Sequence, residues 1–256
     1  MSKIASLTLA ALVALSLASC GDDKKTGTPA PSQTPTAPSS STPTTPSTPA
    51  DPTTAPSSGG EVERTKAQLT KALLVLADLP TGFSQESDDP SDPSDKPFSS
   101  KEAKCKTLVK YLNADVAPGS KVSVARSFSG GQEGPYIDFG LDAMGDSKKV
   151  LALQATYRAA VRSCKKITMT FSGQGSSPME VREVSAPQFG DDPFAFRLTG
   201  ISGPQEGLEF TAATAGVNDV IVSVSILAGQ PGELDGATEA AVGKAKETLT
   251  GKKSGT

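Results

Sequence analysis

The side chains able to do chemistry in this chain are carboxylates, amines, hydroxyls and three cysteines, because its 256 residues include no histidine. That absence removes Ser-His-Asp and Cys-His catalysis, histidine-bound zinc and a histidine pH switch. The densest carboxylate cluster is Asp88, Asp89, Asp92 and Asp95. Calcium takes six to eight oxygens, and such a cluster could supply several. The spacing lacks the central glycine and terminal glutamate of an EF-hand, however, and the interleaved Pro90, Ser91, Pro93 and Ser94 suit a solvated loop better. Asp191 and Asp192, ahead of Pro193, make a second acidic corner. A paired general acid and base needs two carboxyls converging on one substrate, which adjacency in sequence does not establish, so turn chemistry accounts for this trio. Ser129-Gly130-Gly131 lacks the lysine of a phosphate-binding loop, and no stretch forms a G-x-S-x-G elbow. No catalytic residue, metal ligand or cofactor is therefore expected, and ligand-binding residues stay unassigned.

The cysteines divide by position. Met1-Ser2-Lys3 gives a positive start, and residues 4–17 form an apolar run too short to span a bilayer. The run ends in Leu17-Ala18-Ser19-Cys20, followed by Gly21-Asp22-Asp23. This segment resembles the lipobox of bacterial lipoproteins. The resemblance implies a signal peptide over 1–19 and a diacylglyceryl group on Cys20, which becomes the new N-terminus. The acyl chains are then the expected membrane anchor. Cys105 and Cys164 remain as an even pair in an oxidising compartment, where a disulfide is expected. Such a bridge closes a loop of about 60 residues and stabilises the fold by roughly 4 kcal/mol in the chain-entropy model. It matters in a chain with no tryptophan and 5% aromatic residues, whose core must rely on smaller side chains.

Residues 20–60 are dominated by Pro, Thr, Ser and Ala and show no apolar periodicity, so they read as an extended linker carrying a folded domain over 61–256. At about 3.1 Å per residue in polyproline II the stretch 24–60 reaches at most roughly 110 Å, enough to lift a domain into a cell-wall layer. The net charge of −3 argues against a nucleic-acid partner.

Within 61–256 the apolar spacing of Leu69, Leu73 and Leu76 predicts a helix ending at Asp78-Leu79-Pro80. A second is expected over 101–113, with Cys105, Leu108 and Leu112 on one face. A third, capped by Asp146 or Ser147, aligns Leu153, Tyr157, Val161 and Cys164. A last helix is expected over 234–249. Period-two segments at 121–128, 135–142, 167–171, 179–186, 194–199, 208–215 and 220–227 read as strands, the first two forming a hairpin around Gly130-Gly131. The predicted fold is α+β, a mainly antiparallel sheet of about six or seven strands packed by about four helices with one disulfide between the second and third. Phe194, Phe196, Phe210, Tyr136, Phe139 and Tyr157 could line an apolar pocket, but at this spacing they read first as core.

The segment Leu73-Leu74-x-x-x-Asp78-Leu79-Pro80-x-Gly82-Phe83, with the helical Cys105, the helix ending in Cys164, the run of strands and the closing helix, resembles actinobacterial extracytoplasmic sensor-type domains. That family includes the extracellular domain of the receptor kinase PknH and relatives carried on lipoproteins, and the likeness covers most of 64–250. It implies an α+β domain with a ligand- or partner-sensing role and no enzymatic activity. The kinase domain has two disulfides where this chain can form one, so no binding residue is carried over. The leading expectation is a non-enzymatic, sensor-like lipoprotein on the extracytoplasmic face of the cell membrane, with a cell-wall ligand or a membrane protein as partner. The alternative is an envelope lipid or glycolipid carrier, which requires a large apolar cavity.

Overall fold

The computed structural model describes residues 61–87 and 96–250, which fall within one compact unit, Ala55–Thr256. The expected signal peptide, Cys20, the linker up to residue 60, the acidic loop from Asp88 to Asp95 and the tail after Thr250 lie outside the described residues. Nine strands form one antiparallel sheet. They are β1 (Ser84–Gln85), β2 (Phe98–Ser99), β3 (Val122–Ser129), β4 (Tyr136–Ala143), β5 (Lys166–Phe171), β6 (Gly175–Val184), β7 (Asp191–Gly200), β8 (Glu209–Val217) and β9 (Val220–Leu227). Their order across the sheet is β1-β3-β4-β9-β8-β7-β6-β5-β2. Four α-helices accompany them: α1 (Lys66–Ala72), α2 (Lys106–Leu112), α3 (Ser147–Ser163) and α4 (Glu233–Thr250).

The α+β class and the single disulfide match expectation. The seven strands read from alternation are β3 to β9. The two extra ones, β1 and β2, are two residues long and cap opposite edges of the sheet. Two residues carry no period, so nothing local marks them as strands. The first helix is shorter than its apolar spacing suggests. It starts at Thr65, whose side chain caps Gln68 while Gln68 caps Thr65 in return, and it stops at Leu73 in extended conformation. Leu73 and Leu74 are buried by that turn, and a separate 3-10 turn, Leu76–Asp78, leaves Leu76 exposed. The segment expected as one helix over 101–113 begins as a 3-10 turn, Ala103–Cys105, and becomes α-helical only at Lys106. Asp146 caps α3, and Cys164 lies one residue past its end in extended backbone rather than on its face.

Cross-strand register assigns the faces. Phe196, Ala212 and Ser225 sit opposite one another, as do Ala195, Ala213 and Val224 one residue on, so the two sets point to opposite sides. On the second side, Phe139, Leu141, Val222, Val224 and Ile226 pack with Ala241, Val242 and Ala245 of α4 and with Leu69 of α1. On the first side, Phe194, Phe196, Leu198, Ile167 and Met179 pack with Val161 of α3 and Leu108 of α2. The helices thus cover diagonal halves of the sheet: α1 and α4 lie over β3, β4, β9 and β8, and α2 and α3 lie over β5 to β8. The Cys105–Cys164 bridge, with Cα atoms 4.8 Å apart, ties the start of α2 to the end of α3 beneath this second helical layer.

A polar strap joins the layers. Arg64 donates to both carboxylate oxygens of Asp219, which is 2% exposed, and to the Leu249 carbonyl at the end of α4. Glu61 bridges Lys121, just before β3, and Lys149 on α3. These two cations hold its carboxyl well below the usual range, at about 2.

Candidate functional site: a cleft beside the uncovered half-sheet

α3 reaches β9 only at Ile221, which is buried against Val150 and Leu153, and past it the first side of the sheet runs on without a covering helix across β3, β4 and the rest of β9. Its sequence is a polar alternation. On β4, Tyr136, Asp138, Gly140 and Asp142 face this side while Ile137, Phe139 and Leu141 enter the opposite core. On β3 the same side carries Ser123, Ala125 and Ser127, and on β9 it carries Ser223 and Ser225. Serines therefore flank Asp138 on both neighbouring strands, whereas Asp142 lies between Ser123 and the buried Ile221. Asp138 accepts from Ser127 Oγ at 2.6 Å and from Ser225 Oγ at 3.2 Å. Asp142, only 7% exposed, accepts from Ser123 Oγ and from the Ala117 backbone N–H.

Between this polar floor and the helices lies a cleft of about 240 Å³. One wall is apolar, with Leu108, Leu112, Phe194, Phe196 and Phe210, and the other is the Asp138–Gly140–Asp142 strip. Tyr111 of α2 and Tyr157 of α3 meet at its end, rings edge-on with centroids 4.3 Å apart. Burial pushes the Tyr157 phenol far up, with the negative charge of Asp142 and the neighbouring Tyr111 acting in the same direction. Burial likewise raises Tyr111. Both stay neutral donors at physiological pH rather than bases. Thr214, on the floor, has a buried hydroxyl with no hydrogen-bond partner among the described residues. An unpaired buried donor and two neutral phenols beside an apolar wall suit recognition by hydrogen bonding and packing.

A comparison of the fold gives this cleft a context. The structure superposes on the crystal structure of the extracellular domain of PknH from Mycobacterium tuberculosis with a TM-score of 0.56, covering 75% of this chain and all of that one at 17% identity. The two share a fold. No family model matches the chain, and no curated protein matches it. The PknH-like architecture is thus established by shape, across a sequence distance at which residue roles do not transfer.

The residues singled out from sequence distribute unevenly over this fold. The aromatic set splits. Phe139 is in the core on the far side of the sheet, and Tyr136 is at the surface. Phe194 and Phe196 are core residues whose edges also line the cleft, and Phe210 and Tyr157 line it half-buried. The acidic corner is not a paired-carboxylate site. Asp191 and Asp192 open β7 at an irregularity where Asp192 has φ 45°, Arg158 pairs with the Asp192 carboxylate, and the Gln154 amide donates to both backbone carbonyls. Arg158 also stacks over Phe194, 5.3 Å from its centroid. Among the described residues no group of three or more cysteines and acids is placed to hold a metal. Sequence reading missed Asp138, Asp142, Tyr111 and Ser225. The signal was present, a hairpin strand with carboxylates on its polar face opposite serines, but which helices leave that face bare is a matter of tertiary packing.

Proposed function

We propose that this chain is a non-enzymatic, sensor-like lipoprotein of the cell envelope, anchored through lipid on Cys20, with residues 20–60 as its linker, and that the cleft is its binding site. One observation supports the binding role above all: a concave apolar wall faces a polar strip whose hydroxyls and carboxylates are held in place by one another. The shared fold with an extracellular kinase domain, the disulfide, and the lack of any described helix long and apolar enough to cross a membrane fit an extracytoplasmic placement. A cleft of about 240 Å³ is below the roughly 300–1,000 Å³ of drug-sized ligand sites and small for the lipid or glycolipid cargo of a carrier.

Native mass spectrometry of the full chain, extracted from a bacterial host, tests the binding role. A bound species is expected, and Ala125→Phe, which fills the floor from an exposed strand position, removes it. Protein that is empty in every preparation overturns the reading. The anchor is tested separately by Cys20→Ala, which is expected to release the protein from membranes. Intact mass showing a bare Cys20 thiol in the parent chain overturns that part.

A further inference from the structure

The polar strip does not stop at the cleft. Two residues beyond Asp138 on β4 comes Tyr136, and two beyond Ser225 on β9 comes Leu227. These residues open a second, shallower groove on the same side of the sheet, about 630 Å³, lined by Phe171, Leu208 and Ala228 as well. From Asp142 to Tyr136 the strand advances six residues, so the two depressions form a track of about 20 Å at roughly 3.3 Å per residue. Its charge is one-sided. Asp115, Asp138 and Asp142 line the cleft, Glu133 and Glu206 line the groove, and no lysine or arginine lines either. None of these five carboxylates is in an ion pair with a described residue, whereas Asp78, Asp192 and Asp219 are each matched by a cation. Uncompensated negative charge beside apolar walls attracts a cation with an apolar body and repels an anion.

A separate feature lies at the outer end. Gln205 lines the groove and is 5% exposed, yet its side-chain nitrogen and oxygen have no hydrogen-bond partner among the described residues. Its backbone is engaged instead, the N–H donating to Ser177 Oγ at 2.9 Å and the carbonyl accepting from the Leu208 N–H at 3.1 Å. The turn that carries it crosses so near Gly200 that a Cβ there would lie 1.8 Å from the Gln205 carbonyl oxygen. A buried carboxamide with donor and acceptor both unpaired is costly, and a peptide group, which offers one of each, complements it. Reaching it requires a small shift of residues 201–207.

We propose that cleft and groove together form one track for an extended, cationic peptide segment, with apolar side chains on the Phe/Leu wall and amines against the carboxylates. This rests on the cleft being the binding site. The test uses the full chain in detergent and a capped, fluorescent hexapeptide alternating lysine and leucine, with a glutamate–leucine counterpart, read by anisotropy. The lysine peptide is expected to bind and the glutamate peptide not. Asp138→Asn and the double change Glu133→Gln with Glu206→Gln should each weaken binding about three- to fivefold, the scale of a partly exposed charge pair. Ala125→Phe should abolish it, and Gln205→Leu should weaken it while circular dichroism stays unchanged. Equal binding of both peptides, or lysine-peptide binding that survives Ala125→Phe, overturns the proposal. If native mass spectrometry finds a cleft ligand and the lysine peptide fails to bind or displace it, the peptide assignment falls and the cleft reading stands.

Discussion

The two helical layers of this domain solve the same packing problem differently, and the difference decides where a ligand can go. Over β3, β4, β9 and β8, the helices α1 and α4 meet an aliphatic ladder of Val222, Val224, Ile226 and Leu141, with Phe128 and Phe139 edge-on at 5.9 Å. The pocket of about 310 Å³ on this side lies at the margin, between the start of α4 and Arg197, Glu209 and Thr211, and has no aromatic wall. Small residues on α4, Ala241 and Ala245, let the helix come close to the sheet. Over β5 to β8, the packing is aromatic: Phe98, Phe196 and Phe210 form a tilted chain with centroids 5.9 and 6.3 Å apart. Each layer pairs one short and one long helix, so the difference lies in the side chains: large rings do not close as tightly as a helix with a small-residue face, and the cleft is left at the margin. The closed layer contributes stability, and the open one contributes both stability and a surface.

That contrast is broken most directly by removing one ring from each layer. Phe139→Ala empties a fully packed site and is expected to cost about 3–5 kcal/mol. Phe210→Ala acts at a half-buried ring already bordering empty space, and about 1 kcal/mol is expected. Thermal melts of both variants check the ratio; equal losses would mean that the cleft is packed shut in solution. Between these two lies the bridge. Replacing Cys105 and Cys164 together with alanine is expected to cost about 2–4 kcal/mol. It should also loosen α2 against α3, so that ligand binding at the cleft weakens more than the change in melting temperature alone explains. Hydrogen exchange that rises uniformly, rather than in α2 and the end of α3, would contradict this division of the fold.

How far these layers could be read from the sequence follows from the same physics. Strands β3 to β9 announce themselves because one face of each is buried, so alternation survives along Ile137-Asp138-Phe139-Gly140-Leu141 and its neighbours. β1 and β2 are silent, since their existence depends on partners 45 and 71 residues away, Ser129 for Ser84 and Met169 for Phe98. Leu76 fits the helical spacing of Leu69 and Leu73 but is exposed, and the 3-10 turn around it follows from burying Leu73 and Leu74 in extended backbone. The cleft was hidden for a different reason. Every residue of its polar strip is ordinary for a strand facing water, and only the diagonal placement of the helices makes that water-facing strip one wall of a concavity.

A smaller effect tests how the two layers are held in register. Glu61 leads into α1 on the closed side, and its carboxylate binds Lys149 of α3 on the cleft side together with Lys121. The pairing holds its pKa at about 2 against an ordinary 4.5. A carboxyl lowered by folding contributes stability that is fully present above its unfolded value and is lost as pH falls through its folded value. The contribution should therefore fade between pH 4.5 and 2. Asp78, Glu180 and Glu183, each lowered, act in the same direction, with hydrogen bonds from Lys244, Arg182 and Arg162 opposing burial. Glu61 is exposed, so the gain is modest and screened by salt. Glu61→Gln should melt slightly below the parent at neutral pH in low salt, and the gap between the two melting temperatures should shrink steadily from pH 4.5 downward and close below pH 2. A gap that does not shrink over that range would assign the difference to packing of the strap against Gly145, where the Glu61 side chain would meet an added Cβ, and not to its charge.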